Sequence, residues 1–338
     1  MIWNNAELFN TDTLIMQEDG YFAPYRLKDP ERSYEADDIS IQNKATYGVE
    51  LRFCLHTGAA RLTCRMAEGI GKCYAMIGQT LLAEYTVTEK ETVLVAEMPV
   101  EETVRRIERE KRSPYGEKIF RFVFDGGFFL FKSLTGDLSV PEEKDLPERR
   151  GIVYGSSITA GYSSCCLPYC SYVRVLERVL DAQIENLGFP GVCLVEEWIG
   201  RRIVARGSYD FIVMELGVNV MYRMSEEEFT RRVRALIGAV CAGAPQTPVI
   251  CTDCFPFAYG QSGISEKKYR AFKNAVREAV EQCGGKRCFY IDGEKLLPGE
   301  KHLSADGVHP DLLGHRKIAY GFAAEIARRA GLTLRNEE

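Results

Sequence analysis

The chain has no excess of basic residues: 43 Lys and Arg stand against 48 Asp and Glu, for a formal charge of −5. Phosphate backbones are held by clustered cations, so nucleic acid is not an expected partner. An uncharged stretch able to span a bilayer is also missing. The longest candidate, residues 235–252, is interrupted by Pro245, Gln246, Thr247 and Pro248, which would strand backbone groups in lipid. It reads as helix end, turn and strand, and no membrane partner is expected.

The opening MIWNNAELFNTDTLIM carries Glu7 and Asp12 among its apolar residues and lacks a basic start and a small-residue cleavage site. A cytoplasmic location is therefore expected, and with it reduced thiols for the 12 cysteines. Paired zinc knuckles with histidine partners are absent. Cys251-x-x-Cys254 and the group Cys165, Cys166 and Cys170 are the places where a metal or a redox pair could form, but no metal is expected. Neither a Walker phosphate loop nor a dinucleotide fingerprint follows the first strand of the second half, which sets phosphoryl and hydride transfer aside. No cofactor is required.

What is present falls into two halves, as 338 residues would suggest. From about Gly48 to Leu134 the apolar residues alternate, as in Val49, Leu51, Phe53 and Leu55, then Leu62, Cys64 and Met66, then Phe120, Phe122 and Phe124. That period of two buries one face of a sheet. Turn signals at His56-Thr57-Gly58, Glu68-Gly69-Ile70-Gly71, Ile77-Gly78 and Asp125-Gly126-Gly127 predict an antiparallel sandwich or jelly roll over residues 1–140. Residues 141–150, rich in charge and proline, read as a linker.

Over residues 151–338 short apolar strands alternate with helices. Strands are expected at Ile152–Tyr154, Gln183–Leu187, Phe211–Leu216, Val249–Cys251 and Cys288–Ile291. Ser225 and Glu228 form a capping box ahead of Phe229, Val233, Leu236 and Val240, which share one helix face. Tyr269, Phe272, Val276 and Val280 mark another helix, and a last one runs from Leu312 to Ala330 before Gly331. This is an α/β pattern with a doubly wound parallel sheet, whose ligands sit beyond the carboxyl ends of the strands.

Four short motifs lie at those ends. In Tyr154-Gly155-Ser156-Ser157-Ile158-Thr159 a strand stops at glycine and presents two serines; a lone serine in such a turn is more often a helix cap than a nucleophile. In Asn186-Leu187-Gly188-Phe189-Pro190-Gly191, Gly191 allows a backbone N–H to face a ligand, or simply makes a turn. Glu215-Leu216-Gly217-Val218-Asn219 ends in a side-chain amide that can donate to a ligand or hold its own loop. Asp306-Gly307-Val308-His309-Pro310 puts an acid three residues before a histidine, so the carboxylate can accept the Nδ1 proton and leave Nε2 free; an ordinary hydrogen-bonded loop histidine is the bland alternative. Only His309, of four histidines, has this setting: His56 lies in a turn, His302 in a polar loop and His315 in the last helix, where structural or solvent-facing roles are expected.

Together and in this order the motifs resemble the SGNH/GDSL hydrolase superfamily, over about 180 residues of flavodoxin-like fold. The strand-rich first half is similar to the β-sandwich that precedes this domain in some bacterial esterases of the superfamily. The resemblance implies Ser157 as nucleophile, His309 as base, Asp306 as its orienting acid, and an oxyanion hole from Ser157, Gly191 and Asn219. It departs from the family at Ser156, where aspartate is usual, and at Val220, where aspartate is common. Tyr162, Met221, Tyr222 and Phe255 stand beside the strand ends as candidate substrate contacts. The resemblance implies an esterase acting on short acyl groups, among them O-acetyl groups on carbohydrates. A thioesterase or lysophospholipase of the same superfamily is one alternative, and a glycan-binding protein with a degenerate hydrolase domain is another.

Overall fold

The computed structural model describes residues 1–28, 38–98, 101–111, 115–162, 170–284 and 287–335. The chain forms two compact units, Met1–Glu148 and Arg149–Glu338. Among the described residues no helix is long and apolar enough to cross a membrane. Cys165 and Cys166 lie outside the described residues.

Among the described residues of the first unit ten strands join one antiparallel network: β1 (Ile2–Trp3), β2 (Ala6–Phe9), β3 (Thr13–Met16), β4 (Phe22–Tyr25), β5 (Glu50–Met66), β6 (Gly71–Ile77), β7 (Thr80–Val87), β8 (Thr92–Glu97), β9 (Ile119–Phe124) and β10 (Phe129–Ser139). Strand β5 organises it, pairing with β2 and β9 through its first residues, with β8 through its last, and with β10 on either side of irregular steps. The expected turn at His56-Thr57-Gly58 is instead the middle of β5. Gly58 takes φ +66°, and the register with β10 slips beside Thr57, so the chain bends without reversing. The other turn signals hold, with positive φ at Gly69, Gly78, Gly126 and Gly127.

Leu51, Phe53, Leu62, Cys64, Phe120, Phe122, Phe129 and Phe131 fill the core as the alternation requires. The opposite face of β5 is not solvated at its start, however. Glu50 and Arg52 are fully buried there, with Glu50 accepting from both Arg52 Nε and Arg121 Nε at 2.8 Å. Mutual neutralisation makes their burial tolerable. Two helices interrupt the strands, α1 (Asp38–Asn43) and α2 (Glu102–Lys111), where little helical spacing is visible in the sequence.

The second unit is a five-stranded parallel sheet made of β11 (Arg149–Gly155), β12 (Ala182–Gly188), β13 (Phe211–Glu215), β14 (Val249–Thr252) and β15 (Cys288–Ile291), in the order β12-β11-β13-β14-β15. Its first strand starts at Arg149, so the last two residues assigned to a linker are paired with β12. The helices are α3 (Ser157–Ala160), α4 (Tyr172–Leu180), α5 (Glu197–Ala205), α6 (Glu226–Gly243), α7 (Glu266–Gln282), α8 (Gly293–Leu296) and α9 (Leu312–Ala330). Val153, Val213 and Ile250 face α4 and α9, packing on Leu176, Ile318 and Phe322. Alternate residues such as Ile152, Ile212 and Cys251 point to the other face, where α5, α6 and α7 pack side by side.

Side-chain oxygens start the longer helices: Ser171 caps α4, Ser225 α6, Ser265 α7 and Asp311 α9, each accepting an N–H three residues on. Gly331 ends α9 with φ +70°. The sheet order has its switch point at β11, whose neighbours lead away in opposite directions, and the crevice beyond β11 is where a ligand is expected.

Candidate active site

The two serines after β11 take different parts. Ser156 is the N-cap of α3, its Oγ accepting from Ile158 N at 3.1 Å. Ser157, one residue later, sends its Oγ to His309 Nε2 at 2.7 Å. The capping role that would explain a lone serine thus belongs to Ser156, which leaves the neighbouring hydroxyl available. At the first position of a helix, the Ser157 N–H also has no intrahelical acceptor.

His309 is held by its own loop. Asp306 Oδ2 pairs with His309 Nδ1 at 2.7 Å, and Asp306 Oδ1 accepts from Val308 N, His309 N and Ser304 Oγ at 2.8–2.9 Å. Partial burial works to raise the Asp306 carboxyl; the bonds from the His309 and Val308 amides, the His309 ring and Ser304 overcome this and hold it well below the usual carboxylate range. An ionised carboxylate only accepts, so the imidazole proton sits on Nδ1 and Nε2 is the acceptor for the Ser157 hydroxyl. The loop is closed by a Leu303–Pro310 bridge and tied to the segment after β14 by Ala258 N to Gly307 O at 2.8 Å.

Gly191 and Asn219 follow β12 and β13, the two strands flanking β11. Phe189 N donates to Gly155 O at 2.8 Å, which joins the loop after β12 to the end of β11. Cys193 N donates to Asn219 Oδ1 at 3.2 Å, which joins that loop to the one after β13 and turns the Asn219 NH2 away to donate elsewhere. Gly191 has φ +72° with open space where a Cβ would stand.

Glu215, the last residue of β13, is a site residue that the motif reading missed. It is fully buried, and its Oε2 accepts from Ser156 N and Ser156 Oγ at 2.7 Å and from Thr159 Oγ1 at 3.1 Å. Burial pushes its carboxyl up to about 7, with the Ser156 and Thr159 hydrogen bonds offsetting part of that rise. A carboxylate inside the apolar run Phe211-Ile212-Val213-Met214 was the available signal. It also explains Ser156, because an aspartate there would set two carboxylates within hydrogen-bonding distance in a buried site.

The candidate substrate contacts separate. Tyr162 is half exposed with its ring 4.8 Å from that of His309, and Tyr222 is exposed on the loop after β13. Met221 is buried, and so is Phe255, which packs in the core with Tyr172 and Phe322 and cannot meet a substrate. An apolar residue a few positions past a strand end can turn inward as readily as outward, and here the α4–α9 core claims Phe255. His315 is fully buried rather than solvent-facing, accepts from Tyr172 N at 3.3 Å, and has its pKa pushed down by burial to about 4. His56 is exposed in β5 and pairs with Ser139.

Residues 153–317 match the GDSL-like lipase/acylhydrolase family. No curated protein matches the chain by sequence. Among solved structures, a salicylyl-acyltransferase from a tetracycline biosynthetic pathway superposes with TM-score 0.76 at 15% identity, covering 98% of this chain and 96% of that one. A family two carbohydrate esterase from Cellvibrio japonicus gives 0.67 at 13% identity over 97% and 96%. Another, from Clostridium thermocellum in complex with cellohexaose, gives 0.63 at 16% over 84% and 92%. These likenesses concern the fold, first unit included, whereas the sequence match assigns the chemistry of the second unit. That unit belongs to the GDSL-like lipase/acylhydrolase family, and the chain is an ester hydrolase.

Proposed function

We propose that the chain removes short acyl groups, acetyl foremost, from hydroxyls of carbohydrates through an acyl-serine intermediate. The observation that carries this reading is the continuous relay Ser157 Oγ, His309 Nε2, His309 Nδ1, Asp306 Oδ2, with 2.7 Å at each of its two hydrogen bonds. As the Ser157 oxygen bonds to the ester carbonyl carbon, its proton passes to His309, whose cationic form Asp306 stabilises. The Ser157 N–H, the Gly191 N–H and the Asn219 amide receive the developing oxyanion. His309 returns the proton to the departing sugar hydroxyl. Water, deprotonated by the same imidazole, then cleaves the acyl-serine and releases the acid.

The carbohydrate esterases among the structural relatives support the substrate class, and so does the Tyr162 ring beside His309, an exposed apolar face with a polar tip of the kind on which a sugar stacks. Acyl-length series of p-nitrophenyl esters and acetylated xylan test the proposal. Turnover should be highest for acetyl, disappear in a folded Ser157→Ala protein, and leave one acyl group on Ser157 when the reaction is quenched early. Undiminished hydrolysis by Ser157→Ala would overturn the mechanism, and a preference for octanoyl over acetyl would overturn the substrate class.

A further inference from the structure

Three cysteines from two helices and a strand meet at the β15 edge of the parallel sheet. Cys241 lies in the last turn of α6, Cys283 caps the C-terminus of α7, and Cys288 opens β15. Among the described residues theirs are the only three metal-binding side chains found to converge, with all three sulfurs within 4.8 Å of one another. The Cys251-x-x-Cys254 pair does not form such a group. Cys251 instead shares the sheet face of Cys288, on the neighbouring strand.

The spacing puts the Cys241 and Cys283 thiols in contact but not bonded to each other. Cys241 and Cys283 sulfurs lie 3.8 Å apart. A disulfide requires about 2.05 Å. A zinc–thiolate bond of about 2.3 Å gives a tetrahedron whose sulfur–sulfur edge is about 3.8 Å. The carbonyl ends of α6 and α7 both meet here, and their partial negative charge attracts a cation while keeping the thiols protonated until a metal binds. Arg287, the nearest cation in sequence, reaches away to the Arg329 carbonyl on α9. All three thiols are only partly buried, which leaves an ion a path of entry and a fourth position for water.

The geometry points to a metal site: Cys241, Cys283 and Cys288 bind one soft divalent cation, zinc by preference, as three thiolates with solvent as the fourth ligand. Each thiol gives its proton to solvent as its sulfur–metal bond forms. The ion clips two helix ends to the edge strand, a role separate from the chemistry at Ser157. Sequence spacing shows part of this, since Cys283-x4-Cys288 is a zinc-ligand spacing, but Cys241 comes from another helix that only the fold brings alongside.

The full chain, stripped with chelator under reducing conditions, should take up one equivalent of Zn2+. Cobalt(II) in its place should give a thiolate-to-metal charge-transfer band of the same stoichiometry. Cys241→Ala and Cys288→Ala should each weaken binding by roughly 100-fold or more. In the unaltered chain, where folding of variants does not enter, Zn2+ should slow alkylation of Cys241, Cys283 and Cys288 while Cys54 reacts as before. Absence of a charge-transfer band, unchanged alkylation at the three sites, or undiminished uptake by both variants would overturn the proposal. So would a Cys241–Cys283 disulfide in the protein as isolated without oxidant.

Discussion

Adjacent serines at the end of β11 differ in what their hydroxyls meet, and the difference originates in Glu215. Its carboxyl takes both the N–H and the hydroxyl of Ser156, which fixes the turn from which Ser157 projects. Linkage makes this group visible in solution. Between pH 4.5 and about 7 the folded chain keeps a proton on Glu215 that the unfolded chain has released, so stability falls by about 3 kcal/mol as pH rises through that window. His315 acts in the opposite sense: between 6.5 and about 4 the unfolded chain binds a proton that the folded chain refuses, so stability falls by about 3 kcal/mol as pH drops. The two nearly cancel in the overlap. Glu215→Gln should therefore make the urea midpoint decline more steeply from pH 7 to 4 than it does in the wild type; a variant with an unchanged slope would exclude Glu215 as a compensating group.

At the same scale, the oxyanion role proposed for Asn219 predicts that Asn219→Ala lowers kcat about 100-fold with KM little changed, since such a donor acts on charge that appears only in the transition state. A matching rise in KM would make Asn219 a substrate-binding residue instead. Asp306→Asn should cost roughly 10³–10⁴-fold in kcat, because a side-chain amide no longer selects the Nδ1–H tautomer of His309. Steady-state kinetics on p-nitrophenyl acetate read both.

Among elements, the contact of β12 with α3 sets the position of Ser157. A Cβ on Gly188 would stand 2.2 Å from the Ala160 backbone nitrogen, and one on Gly155 would stand 2.1 Å from Thr159 Oγ1. Asn186 reinforces the contact, its Nδ2 donating to Thr159 O at 2.8 Å. Glycine is needed at 188 for this approach rather than for its backbone angles. Gly188→Ala should cost about 1–3 kcal/mol in urea unfolding and, by shifting α3, reduce kcat by roughly 100-fold. Unchanged kcat in a folded variant would show that α3 is positioned from elsewhere.

At the scale of the whole molecule, the two units have separate hydrophobic cores, one built on β5 and the phenylalanines of β9 and β10, the other on the parallel sheet with α4 and α9. Residues 149–338 contain the entire relay. Expressed alone they should unfold in a single transition and hydrolyse p-nitrophenyl acetate, while any loss confined to polymeric acetylated substrates would assign the first unit a part in recognition. Calorimetry and the paired substrates decide it.

The sequence by itself determined the change of period from two to strand-helix alternation, the helix caps, and the order of the four motifs, because each rests on contacts within a few residues. His309 with Asp306 was legible for the same reason: the acid and the ring are three positions apart. The family resemblance singled out Ser157 over Ser156; only the tertiary structure decided what Ser156 does instead, that Phe255 turns into the core, that His315 is buried, that β5 runs on through a turn signal, and that three thiols converge at the far sheet edge. Each of these depends on what the sheet order brings alongside from residues tens to more than a hundred positions away, and short-range pattern carries no record of that.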